Sequence, residues 1–132
     1  MAMKATRTKL NEYTVTNRDG TSLKVSPHGT PGAFSPGELL QAALLGCASL
    51  SADAQLAHML GEDFEAEASV KSAEEDNFIT DMLFELTIKA ADLDEAEREK
   101  IINAAAKKIE RLCIVKRSIS RGINTESDIS IS

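Results

Sequence analysis

The most constraining stretch of this chain is a helix with almost no polar face. Ser35-Pro36-Gly37-Glu38 has the form of a helix start: a hydroxyl N-cap, proline at the first helical position and a glutamate at the third to close a capping box. Leu39, Leu40, Ala42, Ala43, Leu44, Leu45, Gly46, Cys47 and Ala48 follow, with Gln41 as the single polar interruption. Polar residues return at Asp53, Gln55 and His58, and Gly61 is placed to stop the helix in the left-handed conformation. The pattern predicts a helix from Pro36 to Leu60 whose N-terminal half is the buried part. A helix apolar on all sides must be covered on all sides. One small sheet covers one side, so a second copy of the chain is expected on the other, making a homodimer.

The flanking segments supply the sheets. Tyr13 and Val15 with their threonines suit strands, Asp19-Gly20 a hairpin turn, and Leu23 and Val25 the returning strand. Pro27, Gly29, Pro31 and Gly32 make the following segment a loop. Phe64, Ala66, Ala68 and Val70 alternate with polar residues, as do Met82, Phe84, Leu86 and Ile88, and Glu74 to Asn77 is the expected turn between two strands. Asp92 to Asp94 opens a second helix with Ile102, Ala105, Ile109 and Leu112 at helical spacing, leading directly into Cys113. Arg121-Gly122 ends that region, and Ile123, Thr125, Ile129 and Ile131 read as a last strand or strand pair. The expectation is a single α+β domain over residues 1–132.

Composition narrows the function classes. With 21 acidic against 15 basic residues the net charge is −6, which repels phosphates and argues against nucleic acid or an anionic membrane as partner. The apolar run from Leu39 to Leu50 falls short of the about 20 residues needed to cross a bilayer, and no signal peptide is apparent, so a cytoplasmic protein without a membrane span is expected. Two cysteines in a reducing compartment are redox-active, metal-binding or simply buried. His28 and His58 share no compact ligand spacing with Cys47 and Cys113, so no metal is expected. Each cysteine alone reads equally as an inert core thiol. Phe34, Met59 and Met82 are candidates to line an apolar pocket or to be plain core, and His28 precedes the thiol helix where it borders a possible entrance.

Three segments resemble the OsmC/Ohr superfamily of osmotically inducible and organic hydroperoxide resistance proteins. Ser35 to Cys47 is similar to that family's capped, small-residue helix ending in a cysteine, Cys113 to Ile119 to the segment around its second cysteine, and Tyr13 to Gly20 to a strand ending in an arginine turn. The resemblance implies an intertwined α+β homodimer with long central helices packed on curved antiparallel sheets. It further implies a thiol peroxidase that reduces organic hydroperoxides to alcohols, with Cys47 attacking the peroxide, Cys113 resolving the product, and no bound cofactor. An external dithiol, such as a lipoylated protein, would return the electrons. Arg18 is the carried-over cation that holds the thiolate and polarises the peroxide; Phe34, by its apolar ring, and His28, by its place in the loop before the thiol helix, are the candidates for substrate contact.

Two departures stand out. Glu38 matches the acid held against the arginine, but in Ohr proteins that glutamate directly follows the proline, where this chain has Gly37, so a purely capping role competes. Ile114 stands where the family usually has proline, which leaves the second helix free to continue past Cys113. A catalytically inactive dimer that binds an apolar ligand or serves in stress protection is the alternative reading. A hydrolase using Cys47 with a histidine base has no motif behind it.

Overall fold

The computed structural model describes residues 2–132. Two compact units divide at Ala43 and Leu44, within the long helix.

The first unit holds an antiparallel three-stranded sheet of β1 (Lys4–Lys9), β2 (Glu12–Thr16) and β3 (Ser22–Val25), in that order. Asn11, with φ 59°, turns β1 into β2, a strand start that the sequence reading did not separate from the first hairpin. Tyr13 pairs with Val25 and Val15 with Leu23 across the expected hairpin. The Asn17 side-chain oxygen accepts from the amides of Asp19 and Thr21, each at 3.0 Å, which closes the turn carrying Arg18. Phe34 ends the Pro27–Gly32 loop by bonding back to β3: its amide donates to the Lys24 carbonyl and its carbonyl accepts from the Ser26 amide, both at 3.0 Å.

Helix α1 (Pro36–Leu60) has the expected limits and the expected cap. The Ser35 amide donates to the Glu38 carboxylate at 2.8 Å and the Glu38 amide to Ser35 Oγ at 3.2 Å. Replacing Ser35, itself buried, with alanine is expected to lower stability by about 1 kcal/mol in a denaturant titration. An unchanged midpoint would show the cap contributes nothing.

The second unit contains the rest of α1, the hairpin of β4 (Glu65–Glu75) and β5 (Phe78–Lys89), helix α2 (Glu95–Leu112) and helix α3 (Ile114–Arg121). Positive φ at Asp76 and Asn77 makes a two-residue hairpin turn, so the strands run further than the sequence suggested. Val70 faces Phe84, Ala68 faces Leu86 and Ala66 faces Ile88, which puts the apolar positions of both strands on one face as the alternation predicted. Asp94 caps α2, accepting from the Glu97 amide at 2.8 Å.

The core is two clusters strung along α1. Ala52 and Leu56 pack with Ile101 and Ala105 of α2, while Leu44 and Ala48 pack with Cys113. Leu44, Ala48, Ala52 and Leu56 recur every four residues, so one chain buries a single narrow stripe. The expectation that the N-terminal half of α1 is the buried part is therefore corrected: burial follows the stripe into the C-terminal half, and Leu40 and Leu50 remain exposed. At 25 residues α1 is long and apolar enough to cross a membrane by length and composition alone, but its stripe carries both core clusters, as a core helix does.

Three further expectations change. Ile101, Ala105 and Ile109 form the inward stripe of α2, whereas Ile102 and Leu112, one position off that four-residue step, are exposed. Helix α2 does not continue past Cys113, despite the missing proline: Cys113 has an extended backbone, φ −73° and ψ 96°, and a new helix starts behind it. Residues 122–132 form no strand, and Ile129 and Ile131 are 91% and 98% exposed, because a strand exists only when it is paired and neither sheet of this chain takes the segment in.

Candidate active site

Cys113 joins α2 to α3 in the second unit. The inward stripe of α2 reaches it by one more four-residue step from Ile109, and it is completely buried. It closes one helix and opens the next. Its amide donates to the Ile109 carbonyl at 3.0 Å, its carbonyl accepts from the Arg117 amide at 3.0 Å, and its sulfur accepts from the Lys116 amide at 3.4 Å as an N-cap. The first amides of a helix have no partner inside the helix. With Lys116 capped by sulfur, those of Ile114 and Val115 are left to serve something else.

That something is Cys47, which lies between Leu44 and Ala48 on the same side of α1 and packs on the cluster containing Cys113 and Val115. Both cysteines are free thiols. Burial works to raise the pKa of Cys47, but the Val115 amide, the Cys113 thiol, the Ile114 amide and the Ser51 hydroxyl together outweigh it and hold the group below the ordinary thiol value. Ser51 contributes least, since its single proton already goes to the Cys47 carbonyl at 2.7 Å. Cys113 is driven the other way. Burial raises its pKa, the Lys116 amide opposes that, and the neighbouring Cys47 raises it further. The two thiols are thus shifted in opposite directions, Cys47 down and Cys113 up.

Beside the thiols lies a cavity of about 520 Å³ walled by α1, β5, α2 and α3. Leu44, Ala48, Met82, Phe84 and Ile109 belong both to its wall and to the cluster around the sulfurs, so Met82 lines a pocket as the sequence suggested. Met59 packs on the other cluster as core. Lys116 reaches across from α3 to pair with Glu110 of α2 at the cavity edge.

The remaining sequence candidates all lie in the first unit. Arg18 is exposed in the β2–β3 turn and makes no ion pair among the described residues. Glu38 is held in its capping box, and bonds from Ser35, aided by the His28 charge, keep its carboxyl below the usual range. His28 is exposed in the loop and Phe34 is half exposed. Among the described residues no group of three or more His, Cys, Asp or Glu could hold a metal. The thiolate support expected from a cation comes instead from the start of α3, which the sequence did not single out. The one signal available was that the inward stripe of α2 ends at a residue able to cap a helix.

Residues 28–128 match the family described as OsmC-like protein, and the chain belongs to that family. An uncharacterized protein of Mycobacterium tuberculosis is 29% identical over 125 residues, covering 93% of this chain and 91% of its own, and one of Mycobacterium bovis matches equally. The fold is that of an OsmC-like protein from Mycoplasma pneumoniae, with TM-score 0.68 and 13% identity over 90% of this chain and 86% of that one. An OsmC-like protein of unknown function from Vibrio cholerae superposes with TM-score 0.59 at 14% identity, covering 88% of this chain and 90% of its own. Both share the α+β architecture of helices on antiparallel sheets.

Proposed function

We propose that this protein is a cytoplasmic two-cysteine peroxidase that reduces organic hydroperoxides to alcohols, acting in antioxidant stress defence. The observation that carries the reading is the neighbouring pair of Cys47 and Cys113 with opposite proton affinities. The Cys47 thiolate attacks the distal oxygen of R–O–O–H; an S–O bond forms, the O–O bond breaks, and the alkoxide leaves and takes a proton to become the alcohol. Cys47 is then a sulfenic acid. The Cys113 sulfur attacks the Cys47 sulfur, an S–S bond forms, and the hydroxyl departs as water with the Cys113 proton. An external dithiol, lipoylated protein or small molecule, reduces the disulfide, so no resident cofactor is needed.

Apolar walls favour a hydrocarbon tail over hydrogen peroxide, since burying it is worth about 0.8 kcal/mol per CH₂. In this reading the chain acts as one OsmC-like domain and as a homodimer, because the exposed apolar positions Leu40 and Leu50 of α1 need a cover. In this reading Arg18, with Glu38 as its partner, supports the thiolate on the family resemblance, and Phe34 and His28 are assigned to substrate contact from their residue type and their place before α1.

The test is a thiol count before and after one equivalent of cumene hydroperoxide, with mass spectrometry to place the bridge. Rapid loss of both thiols to an intramolecular Cys47–Cys113 disulfide, absent in Cys47→Ser, is the expected result. Thiols that stay reduced in excess peroxide would overturn the reading in favour of a dimer that binds an apolar ligand.

A further inference from the structure

Residues 107–121 run against the charge of the rest of the chain. They hold six basic side chains and one acidic, a net +5, whereas the other 117 residues hold nine basic and 20 acidic, a net −11. Lys116 is paired with Glu110 and lines the cavity. The other five, Lys107, Lys108, Arg111, Arg117 and Arg121, have no acidic partner among the described ion pairs, and all but the half-buried Lys108 are exposed. A place in the last turn of a helix accounts for Arg111 and Arg121 taken singly. It does not account for the grouping. Lys107 and Lys108 stand four and three residues before Arg111, and Arg117 four before Arg121, spacings at which like charges repel. The Arg117 guanidinium crosses the Cys113 junction to donate to the Arg111 carbonyl at 3.4 Å, which joins the two groups into one surface. Leu112, four residues from Lys108, and Ile114, three from Arg117, lie within it and are 57% and 62% exposed.

We propose that this side of the α2–α3 junction docks an acidic protein segment in which apolar residues are interspersed. That role goes beyond the peroxidase reading and stands without it. Charge and size decide the class of partner. The last six residues of α2 and the eight of α3 measure about 20 Å end to end at the usual helical rise. A short segment stays on that surface. A nucleic-acid duplex or an anionic membrane extends beyond it and is repelled by the −11 of the remaining residues, which acts over a screening length of about 8 Å. Duplex phosphates would also leave Leu112 and Ile114 without an apolar partner. Carboxylates that approach the five cations relieve their mutual repulsion, and an apolar side chain between them covers Leu112 or Ile114.

The test is fluorescence anisotropy with the full chain and a short labelled peptide of glutamates with interspersed leucines. Binding is expected at low salt and should fade at about 1 M salt, where screening reaches about 3 Å. It should weaken about fivefold in Lys107→Gln/Arg111→Gln, the effect of two exposed ion pairs. Arg117→Gln/Arg121→Gln, on the other helix, should act alike and replaces the first variant should that lose its helicity. Lys4→Gln/Arg7→Gln removes the same charge from the exposed strand β1 and should keep the affinity within about twofold.

A glutamate–serine peptide, without the apolar side chains, should bind less tightly, and a neutral glutamine–leucine peptide should not bind. Each of the following would overturn the proposal: no binding of the glutamate–leucine peptide, equal binding of either control peptide, or equal loss in the β1 variant. Tighter binding of a DNA duplex, or of vesicles of equal phosphatidylserine and phosphatidylcholine, would overturn it in favour of a polyanion or a membrane. Neither thiol takes part in these measurements, so their outcome is separate from that of the thiol count.

Discussion

In Cys113→Ser, one equivalent of cumene hydroperoxide is expected to oxidise Cys47 and the reaction to stop there, with a sulfenic acid that dimedone captures and mass spectrometry locates. Steady-state turnover with a dithiol should fall by about two orders of magnitude or more, because a fixed neighbouring thiol is replaced by one arriving from solution. Serine is the informative substitution. It retains an N-cap acceptor for the Lys116 amide, so the junction of α2 and α3 keeps its shape, and its hydroxyl can still donate to the Cys47 anion. Cys113→Ala removes both, and should therefore also slow the first oxidation at neutral pH by raising the Cys47 pKa. Undiminished turnover in Cys113→Ser would show that Cys113 does not resolve the sulfenate. The proposed sequence of steps would then need a different second thiol, and this chain has none.

What the residues announced and what they concealed follows from the range of the forces involved. The limits of α1 were legible because caps are local: Ser35, Pro36, Glu38 and Gly61 act within one turn of themselves. The β2–β3 and β4–β5 hairpins were legible for the same reason, through Asp19-Gly20 and the alternation of apolar residues. Which face of a helix is buried is decided elsewhere in the chain. In α2, Ile101 and Ile102 are equal in the sequence, and only the position of Ala52 and Leu56 of α1 decides between them. The Ile123 to Ile131 segment carries strand residues, but a strand needs a partner, and the chain by itself provides none. At the candidate site, the cysteine pair came from the family resemblance rather than from spacing, since 65 residues separate them in the chain. Of the groups that favour the Cys47 anion, the Val115 and Ile114 amides are backbone N–H groups, which every residue but proline possesses and which no motif can single out.

Those amides define the second large effect, on how reactivity depends on pH. An ordinary cysteine ionises near pH 8.5. Because the pKa of Cys47 is lowered, its thiolate persists as pH falls below that value, and the acid limb of its alkylation by iodoacetamide is expected to lie on the acidic side of a free thiol's. Cys113, with its pKa raised and its sulfur buried, should resist the reagent over the same range and react only at more alkaline pH or after unfolding. Ile114→Pro tests the cause. Proline is tolerated at the first position of a helix, Ile114 is exposed, and Cys113 before it already has the extended backbone that proline requires of its predecessor. The substitution removes one N–H and little else. With that amide gone, the acid limb for Cys47 should move toward higher pH, so that alkylation and peroxide oxidation slow several-fold near pH 7 while the plateau rate at high pH is retained. A variant that keeps its helicity and its original pH profile would show that the start of α3 does not hold the thiolate. The stabilising charge would then have to come from a side chain, and Arg18, the cation that the family resemblance supplies, would be the first to replace.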